Sequence, residues 1–403
     1  MKKFIIITLG CRTNQYESQA YRDQLLNSGF EEGKEKDEIS FCIVNSCSVT
    51  ENAENSSLYE IRQLIKKYPQ AKIFVTGCLV EKDRIFPSME RVTFVSNSEK
   101  ENLISLVTNH EKLPFSIQRF HGHSRAFVKI QDGCNQFCSY CIVPFTRGTS
   151  RSRPIKDILE EVKVLVKNGY KEIVLTGIHI GDYPELSSLL CELAAISGLE
   201  RIRLSSLDPN TLQDPLLSTI LSTRMIMPNL HLSLQSGSNQ ILRIMNRRYT
   251  TEIFEEKVRY LVEKNPDFTI TTDVIVGFPG ETEEDFLETL QFCQKIQFAK
   301  VHIFPYSKRK KTKAASFPNQ VPCGVVKERK KKLNALVEQG AFSLRNRYLG
   351  RKMKVLVEEN EMGHTENFLP VIIGKNDEAG RIVEVQLIKN IDKGLVGEIW
   401  KSK

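Results

Sequence analysis

The sequence predicts a mixed α/β protein with three consecutive parts: an N-terminal parallel sheet, a longer six-unit β/α region and a small C-terminal all-β barrel. Apolar, strand-like runs alternate with helical stretches as far as about Lys308, which is typical of parallel sheets covered by helices. The last sixty or so residues instead contain short strand-like segments separated by turn residues. The predicted boundaries of the three parts are 1–115, 120–342 and 343–403.

Each of the three apolar runs in the first part leads to a cysteine. FIIITLGC ends at Cys11, EISFCIVNSC ends at Cys47 and AKIFVTGC ends at Cys78, with helical stretches between them. In parallel sheets, ligands bind beyond the carboxyl ends of the strands. The three cysteines are therefore predicted to converge in space, although 36 and 31 residues separate them in sequence.

The second part contains six apolar runs that are candidate strands. They are FVKIQ, EIVLTGIHI, RIRLSSLDP, LHLSLQS, FTITTDVIVGFP and KVHIFPYS. Six strand and helix units are too few to close an eight-stranded β/α barrel. Functional loops of β/α folds follow the strand ends, and this is where polar and glycine-containing motifs occur: TGIHIGDY, SSLDPN, LQSGSN and VGFPGET.

The net charge of +8 is unevenly distributed along the chain. Between Phe304 and Lys354, fifteen Lys or Arg stand against two Glu, a local balance of +13 that leaves −5 for the remaining residues. A concentrated basic segment on a slightly acidic protein predicts a polyanionic partner. A solvated, lysine-rich helix face would explain part of the same pattern.

Composition and hydropathy predict a cytoplasmic protein that does not associate with membranes. The 403 residues are 40% hydrophobic, yet no apolar run approaches the roughly 18 residues that would span a bilayer. The N-terminal apolar run of about seven residues lacks the features of a signal peptide. We therefore expect the ten cysteines to be reduced.

The stretch DGCNQFCSYC places Cys134, Cys138 and Cys141 in a C-x3-C-x2-C spacing. The first gap is too long for a zinc knuckle, and disulfides are disfavoured in a reducing compartment. Soft thiolate sulfur selects iron–sulfur clusters, and closely spaced cysteines on one loop can bind several irons of one cluster. Three protein ligands leave one iron open to a cofactor or a substrate.

The longer stretch IQDGCNQFCSYCIVPFTRGTSRSRP resembles the methylthiotransferase branch of the radical S-adenosylmethionine (SAM) enzymes. The resemblance implies an open six-unit barrel with a catalytic 4Fe-4S cluster, whose open iron binds SAM before SAM is cleaved to a radical. The catalytic cluster ligands would be Cys134, Cys138 and Cys141.

The segments LGCRTNQYES, NSCSVT and TGCLVEKD resemble the three blocks that bind a second 4Fe-4S cluster in this family. They imply that Cys11, Cys47 and Cys78 are its ligands. Resemblance to further family motifs implies that strand-end loops line the SAM site. The implied SAM-binding residues are Thr176, Gly177, Ser206, Gln235 and Gly277.

Basic residues outside these motifs have more than one interpretation. Arg147, Arg151 and Arg153 could bind the SAM carboxylate or RNA phosphate, or could lie on a solvated loop. The C-terminal segment resembles the TRAM domain, a small RNA-binding barrel, and its basic approach is predicted to contact phosphate. The predicted RNA-binding residues are Lys308, Arg309, Lys310 and Lys311. Near Lys311 and Lys313 the chain has lysines where the family pattern has Gly and Pro.

The resemblance covers the whole chain and implies that a methylthio group is inserted at an unactivated C–H bond by radical chemistry. The blocks CRTNQYES, NSCSVT, LTGIHIGDY and HIFPYSKRKKT look most like the branch that modifies C2 of threonylcarbamoyladenosine beside the tRNA anticodon. An isopentenyladenosine tRNA enzyme and a non-catalytic iron–sulfur RNA-binding protein are the alternatives. Expected partners are tRNA and a reducing electron donor such as flavodoxin or ferredoxin, while the sulfur donor is not predicted.

Overall fold

The N-terminal part is a parallel sheet with helices on both faces. The structure is a computed structural model that describes residues 2–79, 91–108, 113–359, 361–374 and 379–400. The strands of this part are β1 (Lys3–Thr8), β2 (Glu31–Glu32), β3 (Phe41–Ser46), β4 (Lys72–Gly77) and β5 (Val92–Phe94). Their order is β2-β1-β3-β4-β5, and every pair is parallel.

The helices that cover this sheet within the described residues are α1 (Arg12–Asn27), α2 (Glu51–Lys67) and α3 (Leu103–Thr108). Side chains alternate across a strand, so Cys42 and Val44 of β3 pack in the same core as α2, while Ile43 packs in the core that contains residues of α1 and α3. Helix α2 begins after Thr50, whose hydroxyl accepts a hydrogen bond from Ala53 N.

The central part is an open barrel of parallel strands, as predicted. Its strands are β6 (Ala126–Lys129), β9 (Glu172–Thr176), β10 (Arg201–Leu204), β11 (Ser206–Leu207), β12 (Asn229–Leu232), β13 (Thr269–Val276) and β14 (Lys300–Pro305). A two-stranded antiparallel pair, β7 (Gln131–Asp132) and β8 (Arg151–Ser152), lies beside them.

The strand pairing gives six positions around the barrel. Strands β10 and β11 are separated only by Ser205, and they join the orders β10-β9-β6 and β11-β12-β13-β14 into one curved sheet. Within the described residues, β6 and β14 do not pair with each other, so the barrel is open. The surrounding helices are α4 (Val143–Arg147), α5 (Ile155–Lys167), α6 (Leu186–Ala194), α7 (Leu216–Ser222), α8 (Asn239–Ile244), α9 (Thr251–Lys264) and α10 (Glu283–Ile296).

The C-terminal part is a closed five-stranded barrel, which confirms the predicted all-β class. Helix α11 (Cys323–Asn346) leads into it and packs against β14. The strand order is β15-β16-β17-β19-β18, closed by pairing of β15 with β18. These strands are β15 (Lys352–Val357), β16 (Met362–Thr365), β17 (Pro370–Ile372), β18 (Ile382–Ile391) and β19 (Gly394–Ile399).

The C-terminal barrel is attached to the central part by backbone contacts and an ion pair. Arg203 Nη2 donates to the carbonyl of Thr365 at 2.8 Å, and Arg351 pairs with Asp267 at 2.6 Å. The division of the chain at 115, 120 and 343 stays a prediction, and α11 runs across residue 342. None of the described helices is both long and apolar enough to cross a bilayer.

Candidate active site

The N-terminal cysteines converge at the carboxyl ends of the parallel strands. Cys11 directly precedes α1, Cys47 follows β3 and Cys78 follows β4, and all three line one cavity. Gly10 has φ 92°, and a Cβ there would lie only 2.7 Å from Cys47 Cβ. Glycine is needed at this position because a side chain would push the cysteines apart. The predicted convergence is confirmed, while the ligand role of the three thiols stays a prediction.

The second triplet lies on the loop between β7 and α4. Cys134 Sγ accepts a hydrogen bond from Gln136 N at 3.4 Å, and Cys138 Sγ accepts one from Arg247 Nη1 at 3.0 Å. Burial raises the pKa of the Cys141 thiol to about 12 and also raises that of Cys134. Buried thiolates therefore need a nearby positive charge, which iron supplies when a cluster is bound.

Arg247 is a residue that the sequence interpretation missed. Besides contacting Cys138, its guanidinium pairs with Asp208 at 2.7 Å. This ion pair keeps the positive charge of Arg247 beside the Cys138 sulfur. Hydrogen bonds to cluster sulfurs tune the cluster, so Arg247 has a place beside the predicted catalytic ligands. In the sequence MNRRYT, Arg247 has no signal that separates it from its neighbour Arg248.

A cavity of about 1420 Å³ extends from the N-terminal cysteines into the barrel. Three of the five predicted SAM-binding residues line it: Thr176, Gly177 and Ser206. The other two, Gln235 and Gly277, follow β12 and β13 but are not part of the cavity wall. Gly277 has φ 74°, and a Cβ there would meet the side chain of Val326 in α11 at 2.4 Å.

The loop after β9 is held by Gln131, which the sequence interpretation also missed. Its side-chain oxygen accepts hydrogen bonds from Ile178 N at 3.0 Å and His179 N at 2.8 Å. Its side-chain nitrogen donates to Gly133 O at 2.7 Å, directly before Cys134. One buried amide thus joins the cysteine loop to the loop that carries Thr176 and Gly177.

Arg147 is buried and Arg153 is partly buried, and both are held by carboxylates, which contradicts a solvated loop. Arg147 Nη1 lies 3.0 Å from Glu17 Oε1 and 2.9 Å from Asp132 Oδ1. Burial would lower the pKa of Arg147, but Glu17, Cys78 and Asp132 together outweigh it and hold that pKa well above its ordinary value. Arg153 pairs with Glu161 at 2.6 Å. Arg151 is about half exposed, so its alternatives stay open.

The predicted RNA-binding set needs one correction. Arg309 is buried at 3% exposure and forms an ion pair with Glu54 of α2, so it is not available to phosphate. Lys308, Lys310 and Lys311 are exposed. Lys311 has φ 72°, a left-handed conformation that suits glycine, which is the residue of the family pattern near this position.

The open barrel and the three-cysteine loop define a radical SAM enzyme, and the comparisons agree. The model of the Radical SAM superfamily matches residues 128–293, and that of the Uncharacterized protein family UPF0004 matches residues 3–96. A solved structure of the radical SAM methyltransferase TsrM from Kitasatospora setae superimposes with a TM-score of 0.57, covering 78% of this chain and 77% of that one. At 13% identity, this likeness concerns the fold alone.

Full-length relatives are tRNA methylthiotransferases. The threonylcarbamoyladenosine tRNA methylthiotransferase MtaB of Chlamydia pneumoniae is 44% identical, over 98% of each chain. MtaB of Aquifex aeolicus is 36% identical over 94% of this chain and 98% of its own. The tRNA-2-methylthio-N(6)-dimethylallyladenosine synthase of Clostridium perfringens is 34% identical over 99% and 98%. The chain belongs to the radical SAM methylthiotransferase family.

The chain is accordingly a transferase whose cofactors are SAM and two 4Fe-4S clusters. The residues fit both clusters, because all ten cysteines are free and six of them form the two triplets. Each triplet offers three soft sulfur ligands and leaves one ligand position of a four-iron cluster open. The barrel triplet also has two hydrogen-bond donors directed at sulfur, as a cluster site requires.

Proposed function

We propose that this protein is a tRNA N6-threonylcarbamoyladenosine methylthiotransferase, which inserts a methylthio group at C2 of the modified adenosine beside the anticodon. The observation that carries the proposal is the single cavity shared by the N-terminal triplet and the inner face of the barrel. A sulfur-transfer site and a radical-forming site must both reach one adenosine. The relatives named for threonylcarbamoyladenosine favour this substrate over isopentenyladenosine.

The chain's own residues bind, orient and shield the reacting groups. When bound, SAM and the clusters supply the radical chemistry and the groups transferred. The cavity exceeds the roughly 300–1,000 Å³ of ordinary ligand sites, so a nucleoside can lie beside a cofactor. Arg247 neutralises charge at the Cys138 sulfur, and Gln131 orients the loop after β9. The ion pairs of Arg147 connect α1, which follows Cys11, to Asp132, which precedes the Cys134 loop, and this supports the alignment that the reaction needs.

The same proposal covers the partners and the site of action. Exposed lysines at Lys308, Lys310 and Lys311 offer contacts to tRNA phosphates. The proposed domains are residues 1–115, 120–342 and 343–403. The last of them, which contains the closed C-terminal barrel, takes a TRAM-like RNA-binding role. A low-potential electron donor of the flavodoxin or ferredoxin class and a separate sulfur source complete the reaction, in the cytoplasm.

Nucleoside analysis of tRNA from a strain that lacks the gene tests this function. We expect threonylcarbamoyladenosine to lose its methylthio group, isopentenyladenosine to keep its own, and plasmid-borne wild-type protein to restore the lost product. Loss confined to methylthio-isopentenyladenosine would assign the chain to the other tRNA branch. Unchanged tRNA, together with purified protein that does not cleave SAM after reduction, would instead support a non-catalytic RNA-binding protein.

A further inference from the structure

Three polar side chains form a cluster on the inner face of adjacent barrel strands. His231 of β12, Asp273 of β13 and His302 of β14 place their ligand atoms within 4.8 Å of one another. All three line the cavity, at positions that alternate with apolar residues of the core. The interior of β/α barrels is usually filled by packed branched apolar residues, so a polar cluster there indicates a binding site.

The orientation of His231 is determined by a neighbouring hydroxyl. Its Nδ1 lies 3.0 Å from Thr271 Oγ1, which directs Nε2 toward Asp273, 3.3 Å from Oδ2. Nε2 is buried, and its contact with Asp273 lacks the geometry of a hydrogen bond, so among the described residues it has no hydrogen-bond partner. Buried polar atoms are rarely left without a partner, so a ligand group is expected here.

The charged residues around His231, Asp273 and His302 indicate whether the ligand of this site is a cation or an anion. Two imidazoles and one carboxylate could bind a divalent metal. However, three of the seven Lys or Arg that line the cavity are paired with carboxylates. The remaining four cations, Arg12, Lys300, Arg345 and Lys393, still outnumber the lining carboxylates Asp273, Glu338 and Asp392, an excess that disfavours a further cation. Lys300 lies on the same face of β14 as His302. The cavity therefore favours an anionic ligand.

Arg12 is the cavity arginine best placed to receive that anion. Its guanidinium lies over the Phe127 ring at 5.3 Å, and among the described residues it forms no ion pair or hydrogen bond. By contrast, Arg125 and Arg203 both pair with Glu172, at 2.7 and 2.8 Å. Asp273 acts on Arg12 electrostatically but forms no hydrogen bond or ion pair with it. The guanidinium fork therefore keeps donors that match the planar, bidentate geometry of a bound carboxylate.

We propose that Arg12 and His302 bind the carboxylate of the threonylcarbamoyl group, while the His231–Asp273 pair binds the adjacent hydroxyl and N–H groups. The inference rests on the proposed function, because it assigns the charged part of that substrate to a site in the same cavity. An isopentenyl group has neither charge nor hydrogen-bonding atoms, so it would leave these side chains unpaired. Sites built to hydrogen-bond a polar substrate group reject analogues that lack it, because the polar groups of the site are then left unpaired.

Binding of anticodon stem-loop RNAs to the SAM-free, cluster-loaded protein tests the assignment. The probes carry threonylcarbamoyladenosine, its analogue with the carboxylate replaced by a carboxamide, isopentenyladenosine or unmodified adenosine. We expect wild-type protein to prefer the carboxylate over the carboxamide by about tenfold to hundredfold, the range of a charge-assisted hydrogen bond. Arg12→Gln and His302→Gln should each reduce that ratio toward one.

Matched controls are Arg259→Gln and His121→Gln, which change exposed residues outside the cavity wall and should keep the wild-type ratio. If Arg12→Gln or His302→Gln loses its clusters, the measurement is repeated with Arg12→Lys or His302→Asn, respectively. A wild-type ratio near one, or an unchanged ratio in both cavity variants, would overturn the assignment. One equivalent of zinc or another non-iron metal, present in wild type and absent from His302→Gln, would also overturn it and identify a metal site.

The same probes separate failure of this inference from failure of the proposed function. If wild type binds threonylcarbamoyladenosine RNA better than unmodified RNA but accepts the carboxamide equally, only the carboxylate assignment is wrong. If wild type prefers isopentenyladenosine RNA, the proposed substrate is wrong as well.

Discussion

The two cysteine triplets are constructed in opposite ways. Cys134, Cys138 and Cys141 lie within eight consecutive residues of one loop, so their proximity is local. The N-terminal cysteines are separated by 36 and 31 residues and meet only because three parallel strands end side by side. The first site is visible as a sequence motif, whereas the second exists only once the sheet has formed.

A buried ion-pair network joins the two sites. Glu17 of α1 contacts Arg147 and Lys100, and Asp132 contacts the same two cations from the loop that leads to Cys134. Burial would raise the pKa of Glu17, but Arg147 and Lys100 outweigh it and hold that pKa below its ordinary value. The two triplets are therefore connected through a network of buried charges.

The largest expected effect is the difference in iron content and SAM cleavage between two variants, each with one cysteine triplet replaced by alanine. Because each triplet is predicted to bind one four-iron cluster, anaerobically reconstituted wild type should contain about eight irons and either Cys-to-Ala triple variant about four. Reductive SAM cleavage should be abolished by the Cys134, Cys138 and Cys141 changes. It should stay measurable after the Cys11, Cys47 and Cys78 changes, which abolish only the methylthio product.

Iron analysis and chromatography of cleaved SAM provide the measurement, with circular dichroism as the folding control. Methylthio product from the N-terminal variant would contradict the assigned role of that triplet. A folded variant that keeps all its iron, or loses all of it, would contradict two independent clusters.

The free energy of unfolding should depend strongly on the charge of Arg147 in the buried network between the two sites. Arg147→Met leaves the carboxylates of Glu17 and Asp132 with one fewer cation in a buried network, and breaking such a pair costs about 3–5 kcal/mol of unfolding free energy. Arg151→Met, at the start of β8, removes only a half-exposed pair with Asp132 at 3.6 Å and should stay within about 0.5 kcal/mol. Denaturant unfolding under anaerobic conditions measures both, and equal losses would show that the buried network does not stabilise the protein.

Much of the fold was predictable because its signals are local. Apolar runs and helical periodicity predicted the parallel sheet, the six barrel positions and the closed C-terminal barrel, and strand-end logic predicted that Cys11, Cys47 and Cys78 converge.

The errors concern side chains whose partners are distant in sequence. Arg147 meets Glu17 across 130 residues, and Arg309 meets Glu54 across 255. A basic side chain looks the same in sequence whether it contacts phosphate or a buried carboxylate. Its role is decided by tertiary packing, which composition and spacing do not report.

The smallest expected effect concerns the basic segment after β14, where a buried arginine and exposed lysines are neighbours. Lys308, Lys310 and Lys311 are free to contact phosphate, and each phosphate neutralised on a duplex contributes about −0.9 to the slope of log affinity against log salt. Replacing all three with Ala should weaken tRNA binding several-fold and make that slope shallower by up to about 2.7.

Arg309→Ala is the matched control for this loop, because it removes one positive charge without removing an exposed cation. It should lower the unfolding free energy through the loss of its pair with Glu54, while the salt slope stays near wild type. Binding titrations between about 50 and 200 mM salt distinguish the two variants. If the triple lysine variant keeps both affinity and slope, tRNA phosphate is bound elsewhere, and the exposed lysines serve only to solvate this surface. A shallower slope for Arg309→Ala would instead mean that its buried ion pair opens when tRNA binds.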